Sequence, residues 1–298
     1  NSYGEFVFDW SWADAYERAG GKYYPKLVTA SPFSPVTGPR LLSNQAPEDH
    51  EHAKNLIMQT ADGICKSNSL SSWHTLFFEP SELDFYKTHG LLIRLGCQYH
   101  WENHDFINFT DFLSTLSSKH RKAIKRERNK LSSSTIEIET LEGESIKELH
   151  WDVFFNFYRS TFKKKWSQPR LTKQFFLNLS NSNEFKPVLF FAKDADKYVA
   201  GAFALATDHC LYGRHWGASG YYENLHFELC YYQTIEYCIQ NKIRRLDAGA
   251  QGEHKLKRGF RPVKTYSAHH IIDPNFKSAI SDFLTQETNA VEKYIESL

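Results

Sequence analysis

The order of strand-like and helix-like segments is the feature that most constrains the fold of this chain of 298 residues. Apolar segments at 74–78 and 91–99 predict strands, and the segment between them, 81–89, predicts a helix. Three further strands, antiparallel and joined by short turns, are predicted within 187–217. Strands interleaved with helices are typical of α/β and α+β proteins, so we expect sheets flanked by helices.

The sequence also predicts where the chain divides. Near residue 110 an α/β half gives way to a helical stretch and then to a second α/β half. We therefore expect a first domain over 1–110 and a second over 111–298, opened by a helix over 111–131. The segment 225–240 predicts another helix, with Asn224 as its N-cap.

Composition excludes several classes of protein. Apolar residues make up 41% and charged residues 24%, so the chain can bury a core and is not a disordered protein. The sum of 36 Lys+Arg and 35 Asp+Glu is a net charge of +1, which argues against a protein that coats duplex DNA. No uncharged apolar run reaches the ~18–20 residues of a membrane span. The 5 cysteines include no C-x-x-C pair and predict a reduced, cytoplasmic chain with no metal site.

The first candidate site is the polar loop 247–260, which follows a predicted strand, where α/β proteins place their sites. Glu253 or His254 could accept a proton from an attacking amine, and Lys255 is a further catalytic candidate. The glycines of this loop permit close approach of its backbone to a ligand. Gln251 and Gly252, which lie in this part of the loop, are therefore substrate-binding candidates. A cation in this loop could hold a phosphate or stabilise an oxyanion, and the loop offers Lys255, Lys257 and Arg258. The alternative interpretation is a solvated polar loop.

The second candidate is Glu228, which projects on the apolar stripe of the helix predicted over 225–240. A carboxylate facing a core costs several kcal/mol unless it is paired or protonated. Either its pKa is raised, which would make Glu228 a general base, or a core Arg, Tyr or His pairs with it. Tyr231 is a substrate-binding candidate, although such aromatic residues more often pack in a core.

The third candidate is the strand end 212–219. Its residues Arg214-x-x-Gly217-x-Ser219 nearly match the Gln/Arg-x-x-Gly-x-Gly/Ala loop that cradles pyrophosphate in acetyl-CoA enzymes. A strand before and a helix after would let backbone N–H groups face an anion. The substrate-binding candidates here are Arg214, His215, Trp216 and Gly217.

The fourth candidate is a basic segment with seven Lys and Arg between residues 119 and 130. One interpretation is a contact with tRNA or another phosphate backbone. The other is the solvated face of a connecting helix. The candidate phosphate-binding residues are Lys119, Arg121, Lys122, Lys125 and Arg126.

Several segments together resemble one family, the FemAB-like predicted N-acyltransferases. They are Tyr3-Gly4-Glu5-Phe6-Val7-Phe8-Asp9-Trp10, Pro35-Val36-Thr37-Gly38-Pro39-Arg40, Lys119 through Arg128, Leu225 through Gln233, and Gly249 through Lys255. The resemblance covers nearly the whole chain and implies two GNAT-like lobes, each with a mixed, mostly antiparallel sheet. It also implies that the first lobe is N-terminally truncated, since relatives carry several dozen residues before the Tyr-Gly-Glu motif.

The resemblance implies a function as well. Fem-type relatives transfer an amino acid from aminoacyl-tRNA onto a peptidoglycan peptide, and they carry a basic helix before the second lobe. Their Lys followed by Phe-Gly is roughly matched by 257–260, with Gly259 and Phe260 in reversed order. We therefore expect a cytoplasmic N-acyltransferase whose partner is a small-molecule or peptide amine.

The acyl donor is left open between acyl-CoA and aminoacyl-tRNA, and no covalently bound cofactor is expected. From another class, the alternative is a non-catalytic module that binds RNA or a peptidoglycan precursor through the basic helix.

Overall fold

The computed structural model describes residues 4–44, 46, 49–164, 168–180, 184–249 and 252–298. The helices are α1 (Trp10–Arg18), α2 (His50–Ser67), α3 (Leu83–Thr88), α4 (Phe109–Ser114), α5 (Ser118–Ser132), α6 (Glu148–Lys164), α7 (Lys173–Leu179), α8 (Leu225–Phe227), α9 (Gln233–Gln240) and α10 (Pro274–Glu296). The strands are β1 (Leu27–Thr29), β2 (Ser72–Leu76), β3 (Leu92–Glu102), β4 (Ile136–Glu142), β5 (Lys186–Asp194), β6 (Lys197–Ala206), β7 (Cys210–Ala218), β8 (Arg245–Asp247) and β9 (Arg261–Ile271). Strands and helices alternate as the sequence predicts, and the predicted mixed α/β class is confirmed.

The chain forms two compact units, one of residues 1–98 with 262–298 and the other of residues 99–261. The sequence placed the division at 110 and assigned everything beyond it to the second half. The difference arises because β9 pairs with β2 in antiparallel register, from Ser72 opposite Ile271 to Leu76 opposite Ser267. A long-range pairing of this kind leaves no trace in local periodicity.

In the first unit, a polar network lies inside an aromatic core. The carboxylate of Asp9 accepts hydrogen bonds from Lys26 Nζ at 2.6 Å and from the Tyr23 hydroxyl at 2.5 Å. His74 and His269, which face each other across β2 and β9, are joined through their Nδ1 atoms at 2.6 Å. Both rings are buried, which holds the pKa of each imidazole well below its usual value.

The segment 35–40 of the first unit is a structural turn. The guanidinium of Arg40 donates to the carbonyls of Val36, Gly38 and Leu76. The backbone N–H groups of Arg40 and Leu41 in turn donate to the buried carboxylate of Glu82. These bonds satisfy the loop's polar groups internally, as a buried turn requires.

In the second unit, the strands are ordered β8-β7-β6-β5-β4, and residues 100–102 of β3 pair with β8. Strands β4 to β7 are antiparallel, whereas β7 and β8 run parallel. The core between this sheet and helices α6 and α7 is aromatic, with Trp151, Phe154, Phe176 and Phe203 among its members.

Two helix predictions need correction. The helix expected over 111–131 is two helices, because α4 ends at Ser114 and the Ser117 side chain caps a new helix, α5. The helix expected over 225–240 contains a π-helical segment, Glu228–Tyr232, between α8 and α9. Asn224 precedes it in a left-handed conformation (φ 63°) and makes no side-chain cap.

Candidate active site

The site is organised by two parallel strands that separate. Residues 210–212 of β7 pair with residues 245–247 of β8, and β8 ends there while β7 continues to Ala218. In the part of the chain that the structure describes, β7 beyond Tyr212 pairs with β6 alone. The chain still passes close to β7 after β8, since a Cβ on Gly213 would lie 3.4 Å from Ala248 Cα. The divergence therefore leaves one side of β7 facing the segment that carries the predicted polar loop.

Lys255 is the buried cation of this loop. It lies on a 3₁₀ turn, Glu253–Arg258, that begins after Gly252 at φ 118°. The residue is 1% exposed, and its Nζ donates to the carbonyl of Gly249 at 2.6 Å. Burial lowers the pKa of the Lys255 ammonium to about 8, against the opposing field of Asp247. The group is therefore still mostly protonated near neutral pH, and it gives up its proton more readily than an exposed lysine does.

Asp247 and His100 form a buried pair beside the end of β8. His100 Nε2 lies 3.7 Å from Asp247 Oδ2, and Asp247 Oδ1 accepts from the backbone N–H of Gly249 at 3.1 Å. Burial lowers the pKa of His100 although Asp247 acts in the opposite direction. The carboxylate thus fixes the start of the loop whose carbonyl holds Lys255.

His254 and Tyr231 are brought together, as a shared site would require. The Tyr231 hydroxyl and His254 Nε2 are 2.8 Å apart, and the Tyr231 side chain is buried while His254 is exposed. Partial desolvation of the ring and the charges of Arg258 and Lys255 lower the pKa of His254. The imidazole is therefore neutral at pH 7 and able to accept a proton. Glu253 is exposed at the start of the same turn.

Arg258 is fully engaged within the protein. It donates to the Tyr232 hydroxyl at 2.9 Å, to the His254 carbonyl at 3.0 Å and to Glu127 Oε2 at 2.9 Å. Its guanidinium also lies 3.6 Å from the centre of the Phe227 ring. These contacts anchor the 3₁₀ turn, so Arg258 positions the loop. Lys257 is exposed, and Gln251 lies outside the described residues.

Glu228 has the partner that the structural interpretation requires. Arg128 donates to its two oxygens at 2.9 and 3.2 Å, and Gln233 donates to Oε1 at 2.7 Å. The same guanidinium holds Glu236 at 2.8 and 3.0 Å. The pairing of both carboxylates with one guanidinium favours a structural ion pair over the role of Glu228 as a free general base.

The near-match to a pyrophosphate loop does not form a loop. Residues 214–218 belong to β7, and 215–218 pair with β6, with Trp216 opposite Ala202 and Gly217 opposite Gly201. A Cβ on Gly217 would lie 2.2 Å from the Phe157 carbonyl oxygen, so this glycine permits α6 to pack on β7. Residues 214–218 are therefore part of a strand and not of the loop that the near-match predicts, and a role of these residues in binding an anion stays a prediction.

The other residues of that strand end are half-buried. His215 packs on the Tyr158 ring at 4.8 Å, and burial lowers the pKa of His215 to about 3. Trp216 contacts the ring of His226 at 5.1 Å. Arg214 is half-buried, and its burial lowers its pKa while Asp247 opposes this shift.

The basic segment is the α5 helix, and its cations divide into two groups. Arg128 and Lys130 pair with carboxylates, and Arg121 donates to the Leu116 carbonyl at 3.2 Å. Among the described residues, the remaining four make no ion pair and are exposed: Lys119, Lys122, Lys125 and Arg126.

Two features escaped the sequence analysis. His100 directly follows the strand predicted over 91–99, and polar residues at strand ends were a usable signal that was applied only to the later loop. The clamp of Glu228 by Arg128 joins residues 100 positions apart, so no local pattern could indicate it. Among the described residues, no group of three or more His, Cys, Asp or Glu is placed to hold a metal. None of the described helices is both long and apolar enough to cross a membrane.

The fold and the site define a mixed α/β protein with a buried lysine at the end of a parallel strand pair. Over residues 1–298 the chain matches the FemAB-like family, described as peptidoglycan biosynthesis/recognition, and it belongs to that family. The resemblance inferred from sequence is thereby confirmed. No curated protein sequence matches the chain.

Solved structures share the fold at low identity. L-PGS from Bacillus licheniformis is 9% identical, with a TM-score of 0.55 over 80% of this chain and 79% of that one. The C-terminal domain of a putative lysylphosphatidylglycerol synthetase from Agrobacterium fabrum is 10% identical, with a TM-score of 0.51 over 81% and 78%. A structure of FemX is 12% identical, with a TM-score of 0.49 over 78% and 79%.

Proposed function

We propose that this protein is an N-acyltransferase that moves an acyl or aminoacyl group from acyl-CoA or aminoacyl-tRNA to an amine of a peptidoglycan-type peptide. The observation that carries the proposal is Lys255, a buried lysine with a lowered pKa, beside the point where β7 and β8 separate. A cation in a water-poor site is well suited to stabilise the oxyanion of acyl transfer. Membership in the FemAB-like family supports the same reaction class.

The proposed reaction has two steps. The amine nitrogen attacks the donor carbonyl carbon, a C–N bond forms, and the carbonyl electrons move to oxygen beside the Lys255 ammonium. The tetrahedral intermediate then collapses, the bond to the thiol sulfur or to the tRNA ribose oxygen breaks, and the leaving group takes a proton. His254, held by Tyr231 at 2.8 Å, or the exposed Glu253 accepts the proton that the amine loses.

The first test compares two lysines of one turn. Lys255→Met removes the buried cation, whereas Lys257→Met removes an exposed one and serves as the matched control. Transfer to a lysine-containing peptidoglycan pentapeptide is measured with acetyl-CoA and with aminoacyl-tRNA as donors. We expect Lys255→Met to lower kcat/KM at least tenfold, which is about 1.4 kcal/mol of transition-state stabilisation. Equal activity of the two variants would contradict the role of Lys255.

Donor choice is tested by calorimetric titration of CoA, acetyl-CoA and aminoacyl-tRNA into the full chain. Binding of the CoA compounds supports acyl-CoA, and binding of aminoacyl-tRNA alone supports the Fem-type donor. A ligand present at about 100 times its Kd stabilises the fold by about 2.7 kcal/mol, so thermal unfolding checks each result.

The second candidate function is an RNA-binding module without catalysis. It is favoured by the four exposed cations of α5, which make no ion pair among the described residues. Such a module predicts RNA affinity that falls steeply with salt and does not respond to Lys255→Met. An affinity that changes with the Lys255 loop would instead favour the transferase.

A further inference from the structure

Asp247, at the end of β8, is a buried carboxylate to which the proposed reaction assigns no role. It is 3% exposed and lies opposite His100 of β3 in the antiparallel register of the two strands. One of its oxygens accepts a hydrogen bond from the backbone N–H of Gly249 at 3.1 Å, and the other lies 3.7 Å from His100 Nε2. A buried carboxylate lowers stability unless its charge is compensated, so this position requires a nearby cation.

Gly249 connects this carboxylate to Lys255. The N–H group of Gly249 donates to Asp247 and its carbonyl accepts from Lys255 Nζ at 2.6 Å, so the two charged side chains are joined through one residue. Gly249 has a φ of 84°, a conformation that favours glycine. Among the described residues, Lys255 makes no direct ion pair. Its ammonium is therefore held by a carbonyl of the residue that Asp247 fixes.

The charges around Asp247 are positive in sum. Burial lowers the pKa of His100, so its imidazole is neutral at pH 7 and does not compensate the carboxylate. The field of Asp247 acts on two cations, Lys255 of the 3₁₀ turn and Arg214 of β7. Removal of the carboxylate would leave two partly desolvated cations without this negative charge, which disfavours their charged forms.

The other titratable groups around Lys255 carry no charge at neutral pH. They are the side chains of His100, Cys230, His226 and His254. Desolvation lowers the pKa of the three imidazoles and raises the pKa of the thiol to about 12. Arg258, the other buried cation of the turn, is paired with Glu127. Within this set, Asp247 is therefore the group that can compensate Lys255.

We infer that Asp247 is a positioning residue for acyl transfer, which holds the Lys255 ammonium beside β7 through the Gly249 backbone and supplies its counter-charge. The inference rests on the proposed function, in which Lys255 meets the developing oxyanion. Asp247 acts through Lys255 and does not touch the substrate.

Asp247→Asn tests the counter-charge alone, because the asparagine side-chain oxygen can still accept from the Gly249 N–H. Asp208→Asn, in the exposed turn between β6 and β7, is the matched control. Lysine labelled with ¹³C at Cε reports the titration of Lys255 by NMR in the full chain, and the Lys255→Met spectrum assigns its signal. The midpoint, near 8 in the parent, should fall by at least about one pH unit in Asp247→Asn and stay in place in Asp208→Asn. An unchanged midpoint in Asp247→Asn would overturn the inference.

The pH profile of transfer separates this role from support of the fold. Because the reaction uses the charged form of Lys255, kcat of the parent should fall as the pH rises through about 8. In Asp247→Asn the same fall should occur at least about one pH unit lower. A purely structural role would reduce kcat by one factor at every pH, and that result would overturn the assignment.

A second variant decides the case in which Asp247→Asn does not fold. If the fold is lost because the cations lack their counter-charge, the double variant Asp247→Asn/Lys255→Met should recover part of the stability, measured as the midpoint of urea unfolding. No recovery would overturn the inference. The NMR titration requires no transfer, so an inactive parent would contradict the proposed function, whereas the Lys255 midpoint still decides whether Asp247 holds this ammonium.

Discussion

At the scale of single residues, Lys255 couples function to stability. Its burial lowers its pKa to about 8 from the ordinary 10.5, so the folded state binds this proton less tightly than the unfolded chain does. Stability therefore rises with pH between these two values and is reduced below them. The residue is retained at a cost to the fold, as groups that act in a site often are.

We predict that Lys255→Met raises the free energy of unfolding at pH 7 by about 1–2 kcal/mol, an order-of-magnitude value for removing a desolvated ammonium. The gain should shrink as the pH rises through 8 toward 10.5. Urea unfolding at neutral and alkaline pH measures this trend. A variant that is less stable than the parent at pH 7 would show instead that the bond to Gly249 outweighs desolvation.

Sequence reasoning recovered part of the site at this scale. Lys255 and His254 were candidates because of their residue types and the position of their loop after a strand, and Tyr231 was a candidate in the helix predicted over 225–240. The structure brings His254 and Tyr231 together, but their assigned roles stay predictions. The pairing of His100 with Asp247 was not predictable, because it crosses a strand pair that is not local in sequence.

At the scale of secondary-structure elements, the packing of α6 on β7 depends on Gly217. We predict that Gly217→Ala lowers the free energy of unfolding by at least about 2 kcal/mol, because its Cβ would lie 2.2 Å from a backbone oxygen that cannot move alone. Gly220→Ala is the matched control, since its Cβ would be 3.6 Å from the nearest atom, in Tyr222. Chemical denaturation of both variants checks the contrast, and equal stabilities would refute this packing argument.

The α5 helix is tied to the π-helical segment through Arg128. Arg128→Met should lower the free energy of unfolding by about 3 kcal/mol, because Glu228 and Glu236 would lose their shared cation. Arg126→Met, two residues away and exposed, should change it by no more than about 0.5 kcal/mol. The two variants are compared by urea unfolding at low salt. Similar losses would mean that the general charge of α5 matters, and not the fork at Arg128.

The elements themselves were largely predictable, and their interruptions were not. Apolar periodicity located β5, β6 and β7 to within a few residues. It did not locate the break at 115–117 or the π-helical segment, since each preserves an apolar stripe on either side. The loop predicted at 214–219 is a strand instead, because a six-residue pattern carries no information on whether the segment pairs with β6.

At the scale of the whole molecule, buried neutral histidines make stability depend on acidity. His74 and His269 are buried and His215 is half-buried, and the pKa of each lies well below its unfolded value near 6.5. Below pH 6.5 these histidines bind protons in the unfolded chain and do not bind them in the folded chain. Stability is therefore greatest above it and falls as the pH decreases.

We predict a loss of about 1.4 kcal/mol per pH unit for each such histidine between about pH 6 and pH 5. His215→Phe should reduce the slope of stability against pH by about 1.4 kcal/mol per pH unit, which is the contribution of one proton. His52→Gln, at an exposed position, should leave the slope unchanged. Urea unfolding across this range supplies the slopes. A free energy of unfolding that is flat across it would contradict the prediction.

The division of the chain has a consequence for its synthesis. The second unit is one unbroken segment, 99–261, whereas the first draws on both ends of the described chain. During synthesis on the ribosome, the strands of the second unit can pair before β9 has been made. At that stage β2 lacks β9, the strand that pairs with all of its residues. During that interval His74 has no His269 to face, and the first unit stays incomplete, open to chaperones and proteases, until residues 262–298 have been synthesised.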